Sequence, residues 1–164
     1  MNIAMVKADA IVAEGFKSAV ARTSEIEGAY CEGLQAFEPS DKKAVVIKDN
    51  RKLNGSVNLD RELRSRYPDS SRWDYALGYD GKVCFVEVHP ASTKNIDEIV
   101  KKKEWLVWWL KNKAPFLDAM PALSPKFCWA ATGSGIHIST QASYKRKLAQ
   151  LGLRPQHPVI IGDR

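Results

Sequence analysis

The dipeptide Asp80-Gly81, set between the apolar runs WDYALGY and KVCFVEVHP, constrains this chain more than any other feature. Asp-Gly is a favoured pair for a two-residue type I′ hairpin loop, because both loop positions need a positive φ. A loop of that length sets the register of the strands it joins. Tyr79 then pairs with Lys82, Gly78 with Val83, Leu77 with Cys84, Ala76 with Phe85 and Tyr75 with Val86. One step further, Asp74 meets Glu87. Directly opposed residues share a face of the sheet, and the two-residue period adds His89 to that face. The turn chemistry therefore predicts two carboxylates side by side with an imidazole one step along. Opposed like charges destabilise a sheet, and a divalent cation between them would turn repulsion into attraction. Val83, Phe85, Val86 and Val88 predict a surrounding that is not fully wet, where uncompensated charge costs more. The bland alternative has Asp74 solvated beyond the strand end and Glu87 paired with an arginine. For His89, ahead of Pro90, the bland alternative is a hydrogen bond to the loop.

The rest of the pattern alternates helices and strands. Residues 5 to 22 and 24 to 37 read as helices, 44 to 49 as a short strand, NRKLNGSVN as a loop and 59 to 66 as a short helix. After the hairpin, KNIDEIVKKKEWLVWWLKNK is the strongest helix, with Asn95 as N-cap, Glu98 completing a capping box and Pro115 closing the region. Residues 126 to 133 read as a buried strand, 143 to 152 as a helix ending at Gly152, and 158 to 163 as a last strand. With 164 residues, the chain is long enough for one domain with a real core. The expectation is a single α/β domain over 1–164, a central mixed β-sheet flanked by helices on both faces. Within it, 1–43 is an N-terminal helical part, 44–133 the core, and 134–164 a C-terminal helix and strand.

Composition narrows the function. No apolar run approaches the ~20 residues of a membrane-spanning helix, and the first residues lack a signal-peptide layout, so a cytoplasmic protein with no membrane partner is expected. Cys31, Cys84 and Cys128 form no CxxC pair, which argues against a zinc knuckle or a disulfide framework. The net charge of +6 favours an anionic partner, nucleic acid first.

The hairpin and its flanks resemble the PD-(D/E)XK, or restriction-endonuclease-like, nucleases over roughly residues 44 to 133. The resemblance implies an αβββαβ core, with an acid at the start of the second core strand and a (D/E)-X-K triplet on the third. Asp74 matches the first acid. Glu87-Val88-His89 matches the triplet, with histidine in place of lysine. Glu62, on the preceding helix, stands where some members, Holliday-junction resolvases among them, carry another acid. The implied function is metal-dependent hydrolysis of a phosphodiester, with Asp74, Glu87 and the Val88 carbonyl on Mg²⁺ or Mn²⁺, and DNA ahead of RNA as substrate. The alternative is a nuclease-fold protein without catalysis, serving as a nucleic-acid-binding or protein-interaction module. In this family the lysine positions or activates water, so its absence directs attention to other lysines. On a helical wheel from Ile96, Lys103 falls within the apolar stripe Ile96, Ile99, Val100, Leu106, Val107, Leu110, whereas Lys101 and Lys102 fall off it. Lys103 is the first candidate surrogate and Lys94, in the loop after Pro90, the second.

Other features carry less. Trp105, Trp108 and Trp109 at helical spacing point to core packing or a homodimer contact ahead of base stacking. ATGSGIHIS lacks the lysine and spacing of a P-loop. Ser134, His137 and Ser139 lack a nucleophile elbow. His157 reads as a loop residue.

Overall fold

The elements can be followed along a computed structural model that describes residues 15–162. Residues 15–21 are the described part of helix α1. Residues 5–14 of the helix predicted over 5–22 lie outside the described residues, as does Asp163 of the last predicted strand. There follow β1 (Val45–Ile47), β2 (Leu53–Asn58), α2 (Leu59–Leu63), β3 (Tyr75–Tyr79) and β4 (Lys82–Ser92). Then come α3 (Ile96–Lys113), α4 (Pro115–Asp118), β5 (Ala122–His137), α5 (Ala142–Leu151), β6 (Pro155–Gln156) and β7 (Val159–Ile161). No helix among the described residues is long and apolar enough to cross a membrane.

Five strands form a mixed sheet in the order β2-β3-β4-β5-β6. The first three run antiparallel as a meander, and β5 and β6 join parallel to β4. A parallel neighbour needs a crossover rather than a hairpin, and α3 with α4 supplies it. A separate two-stranded parallel sheet pairs β1 with β7.

The two faces of the main sheet are covered differently. Ala76, Val83, Phe85, Trp129 and Ala131 face one core with Phe16 and Val20 of α1, Leu59 and Leu63 of α2, and Ile96, Ile99, Leu106 and Trp109 of α3. Leu117 of α4 is buried in that core, and Tyr144, Leu148 and Leu151 of α5 pack against it. Tyr75, Leu77, Tyr79, Cys84, Val86, Cys128 and Ala130 face the other, where Phe37, Val45, Val159 and Ile161 cover them. The expected helices on both faces are thus corrected: among the described residues the α-helices pack on one face, and the small β1–β7 sheet with its flanking turns closes the other. The short VVI and VII runs of alternating burial suit a half-covered ribbon better than a helix.

Two local readings also change. The helix predicted over 24–37 is a 3₁₀ turn at Ser24–Ile26 followed by irregular chain. Gly28 and Gly33 interrupt that segment, and Cys31 instead forms a bridge to Ser56 beside β2. The stretch predicted as a loop contains β2, which pairs with β3 over Leu53–Asn58 with a register shift between Leu53 and Gly55. On β3, Gly78 has Phe16 so close that an added Cβ would lie 2.5 Å from the ring. A glycine there lets α1 rest directly on the strand backbone.

The helix α3 runs as predicted, but its start is built differently. Asn95 Oδ1 accepts from the Ser92 N–H at 3.0 Å and from Ser92 Oγ. The capping box is therefore Ser92–Asn95, closing the 3₁₀ turn Thr93–Asn95. Glu98 is released from capping and points to the sheet.

Candidate active site

The hairpin has the register expected of its turn. All five pairs from Tyr79–Lys82 to Tyr75–Val86 are present, and Asp80 and Gly81 have φ of 53° and 73°. The strand β3 stops at Tyr75, while β4 continues to Ser92 against β5 alone. From Glu87 onward one edge of β4 is therefore open on the β3 side.

Asp74 occupies that notch. Its carbonyl accepts the first N–H groups of α2, from Leu59 at 2.8 Å and Asp60 at 3.3 Å. A continued ladder would pair Trp73 with Val88. Instead the Val88 N–H donates to Asp74 Oδ2 at 2.9 Å, and the Asp74 N–H donates to Glu87 Oε1 at 3.1 Å. Each carboxylate thus holds the other residue's stretch of backbone, and the two acids are brought together as the turn predicts. Asp74 lies just beyond the strand but is largely buried rather than solvated.

Glu87 is 0% exposed. Its second oxygen meets Lys102 Nζ of α3 at 2.6 Å. Two strand residues span about 6.7 Å and four helical residues about 6 Å, so α3 laid along β4 forms matching rungs. Lys102 reaches Glu87, and Glu98 Oε2 lies 3.1 Å from His89 Nε2. His89 Nδ1 lies 2.9 Å from the Pro90 carbonyl. Both ring nitrogens face oxygen partners, so the imidazole anchors the helix to the strand and presents no free nitrogen to a metal.

Burial dominates the electrostatics. It pushes Asp74 up to about 6 despite Lys102 and the Val88 N–H, with Asp60 and Asp41 adding to the rise. Glu87 is pushed well up, first by burial and then by the charge of Asp74, against the pull of Lys102. Burial draws Lys102 down, but Glu87 and Asp74 together outweigh it and the net change is upward. Lys102 therefore remains an ammonium, and the strain falls on the acids. With both ionised, this desolvated cluster is one positive charge short.

The other predicted residues lie elsewhere. Glu62 faces Arg61 at 3.5 Å and is exposed. The α2 acid that acts on Asp74 is Asp60, itself held by Arg72 at 3.0 Å and Arg64 at 2.9 Å. Lys103 turns away from the acids, donating to the Leu151 carbonyl with its ammonium 4.9 Å from the Phe127 ring centre. Burial lowers its pKa. Lys94 is exposed in the turn before α3. Lys102 was missed because a helical wheel ranks faces, not reach: a lysine flanking the apolar stripe lays its stem on the core and carries its amine to the sheet. The available signal was Glu98 and Lys102, four apart, matching Glu87 and His89, two apart.

Trp109 is buried, donates to Glu25 Oε1 at 3.0 Å and stacks on Trp105 with centroids 6.0 Å apart. Only Trp108 of the three is exposed. Ser134 Oγ and His137 Nε2 lie 2.7 Å apart on the exposed end of β5. Among the described residues, no three His, Cys, Asp or Glu side chains converge as a metal-ligand group.

Compared with protein-family models, with curated proteins and with solved structures, the chain matches none.

Proposed function

We propose that this protein is a divergent nuclease of the PD-(D/E)XK type, hydrolysing a phosphodiester of nucleic acid with Mg²⁺ or Mn²⁺. The observation that carries the reading is Lys102: an ammonium 2.6 Å from Glu87, in the same desolvated site as Asp74. Two acids and a lysine are together, with the lysine delivered from α3 rather than from the second residue after Glu87. With β1, α2 and α4 as insertions, the succession α1, β2, β3, β4, α3, β5 supports the same layout.

The donor set suits a hard dication. Asp74, Glu87 and the Val88 carbonyl are oxygen donors, which with water are what Mg²⁺ and Mn²⁺ accept. The missing positive charge among the acids is a second point of fit. A bound cation of this kind polarises a phosphate and acidifies water. The chain's own residues do the rest. Lys102 supplies an ammonium to the anionic charge that develops on the phosphate oxygens. The Val88 and Asp74 N–H groups hold the two carboxylates in place, and the His89–Glu98 contact keeps α3 in register with β4. Basic residues would grip the backbone without reading bases, with DNA ahead of RNA.

The test is metal-dependent cleavage of DNA and RNA by wild type, Glu87→Gln and Lys102→Met. Cleavage in the wild type lost in both variants supports the reading. One observation favours a second reading, a nucleic-acid-binding module without chemistry: Lys102 already satisfies Glu87, and no third side-chain ligand lies among the described residues. That reading predicts salt-sensitive binding with no cleavage in any variant.

A further inference from the structure

We infer that the cleft between the Lys42–Ala44 turn and Thr132–Gly133 of β5 is a phosphate-binding subsite, built by Ser40, Lys43, Thr132, Gly133 and His157, that takes a nucleic-acid phosphate beyond the one at Asp74 and Glu87. The inference deepens the nuclease reading and rests on it for the position of the reacting phosphate.

The cleft has a volume of about 400 Å³ and is lined by these five residues together with three apolar neighbours. That falls in the roughly 300–1,000 Å³ range of small-ligand sites. Two contacts connect it to the acid site. On one side, Ala131 and Thr132 of β5 are the register partners of His89 and Pro90, the residues just past Glu87 and Val88. On the other, Asp41 Oδ2 accepts from the Tyr75 hydroxyl at 2.6 Å, and Tyr75 directly follows Asp74. Ser40 and Lys43 flank Asp41 on the same turn. The Asp41 turn stands close enough to Asp74 for its charge to act on that carboxylate, and the cleft opens toward the sheet face that Tyr75 lines, across the sheet from Glu87 and Lys102.

The lining is chemically fitted to an anion. Lys43 makes no ion pair among the described residues, and the acid nearest it in sequence is engaged with Tyr75. His157 Nδ1 lies 2.7 Å from the Ala131 carbonyl. A carbonyl can only accept, so Nδ1 carries a proton, and Nε2 donates to an anion when the ring carries the second proton. Two hydroxyls, Ser40 and Thr132, complete a set with no acid among the lining residues. An ammonium, an imidazolium and hydroxyls without a carboxylate are what a phosphodiester oxygen seeks.

The experiment is anisotropy of a short labelled single-stranded DNA, and of RNA of the same sequence, in chelator so that nothing is cleaved. Wild type, Lys43→Ala, His157→Ala and a control, Lys145→Ala on α5, are compared over a salt series, with thermal melting to confirm the fold. Losing one phosphate contact is expected to weaken binding about fivefold near 0.1 M salt and to flatten the salt slope by about 0.7. That loss in Lys43→Ala and His157→Ala, absent in Lys145→Ala, supports the subsite, and the probe that shows it identifies the substrate as DNA or RNA. Equal losses in all three, no loss in the first two, or no binding by the wild type overturns it. Calorimetry with Mn²⁺ on the same proteins separates the two readings. Metal uptake with no Lys43 effect overturns the subsite alone. A Lys43 and His157 effect in a protein that takes up no metal overturns the nuclease reading and leaves a phosphate site.

Discussion

Replacing Asp74 with asparagine should stabilise this protein at neutral pH. Asparagine keeps an oxygen to accept the Val88 N–H but removes a carboxylate that the site burdens. Burial holds Asp74 at about 6 in the folded chain against an ordinary 3.8. Below pH 3.8 both folded and unfolded chains carry the proton and the burden is absent. As pH rises, the unfolded chain ionises first while the folded chain keeps its proton to about 6, so stability is lost across that window. Above it the loss is complete. The gap between 3.8 and about 6 converts to about 3 kcal/mol. With a urea slope of about 2 kcal/mol per molar, that is a shift of about 1.5 M in the unfolding midpoint. Urea melts of wild type and Asp74→Asn near pH 7.5 and near pH 3.5 measure it. The variant should be more stable by about this much at the higher pH and near wild type at the lower. Equal midpoints at neutral pH, or a stabilisation that persists unchanged in acid, would refute the reasoning. Site residues that cost stability are what a functional cluster leads one to expect.

Three further outcomes follow from particular contacts. Lys102→Met strips the ammonium from a buried carboxylate, and urea melts should show a loss of about 3 kcal/mol near neutral pH together with lost cleavage. Lys103→Met, whose parent lysine points to Leu151, should leave cleavage in the same assay at the wild-type rate. Gly78→Ala drives a Cβ to 2.5 Å from Phe16 and should cost about 2 kcal/mol, read from the thermal midpoint; an unchanged midpoint would mean that α1 does not press on β3.

How far the chain could be read depended on how local the determining interactions are. The hairpin was legible residue by residue because Asp80-Gly81 sets its own geometry and the register follows. The pairing of Asp74 with Glu87 was legible for the same reason, although the ladder ends one residue early where α2 takes the Asp74 carbonyl. The strand β2 was hidden: LNGSVN is polar and carries a glycine at φ 132°. It is a strand because its neighbours make it one, with Ser56 Oγ donating to the Gly33 carbonyl at 2.8 Å. Helix position alone does not say which acid of α2, Asp60 or Glu62, faces the strand end. The role of Lys102 depends on how far α3 stands from β4, and no single-element pattern encodes a distance between elements.

Titration of wild type and Glu87→Gln with Mn²⁺ in a calorimeter, near pH 7.5, bears most directly on the site. Wild type should take up the ion with a heat that varies with the buffer, since acids held above their ordinary pKa release protons on binding, and Glu87→Gln should give none. A wild type that shows no heat, or a variant that binds as well as wild type, would contradict a metal centre at Asp74 and Glu87.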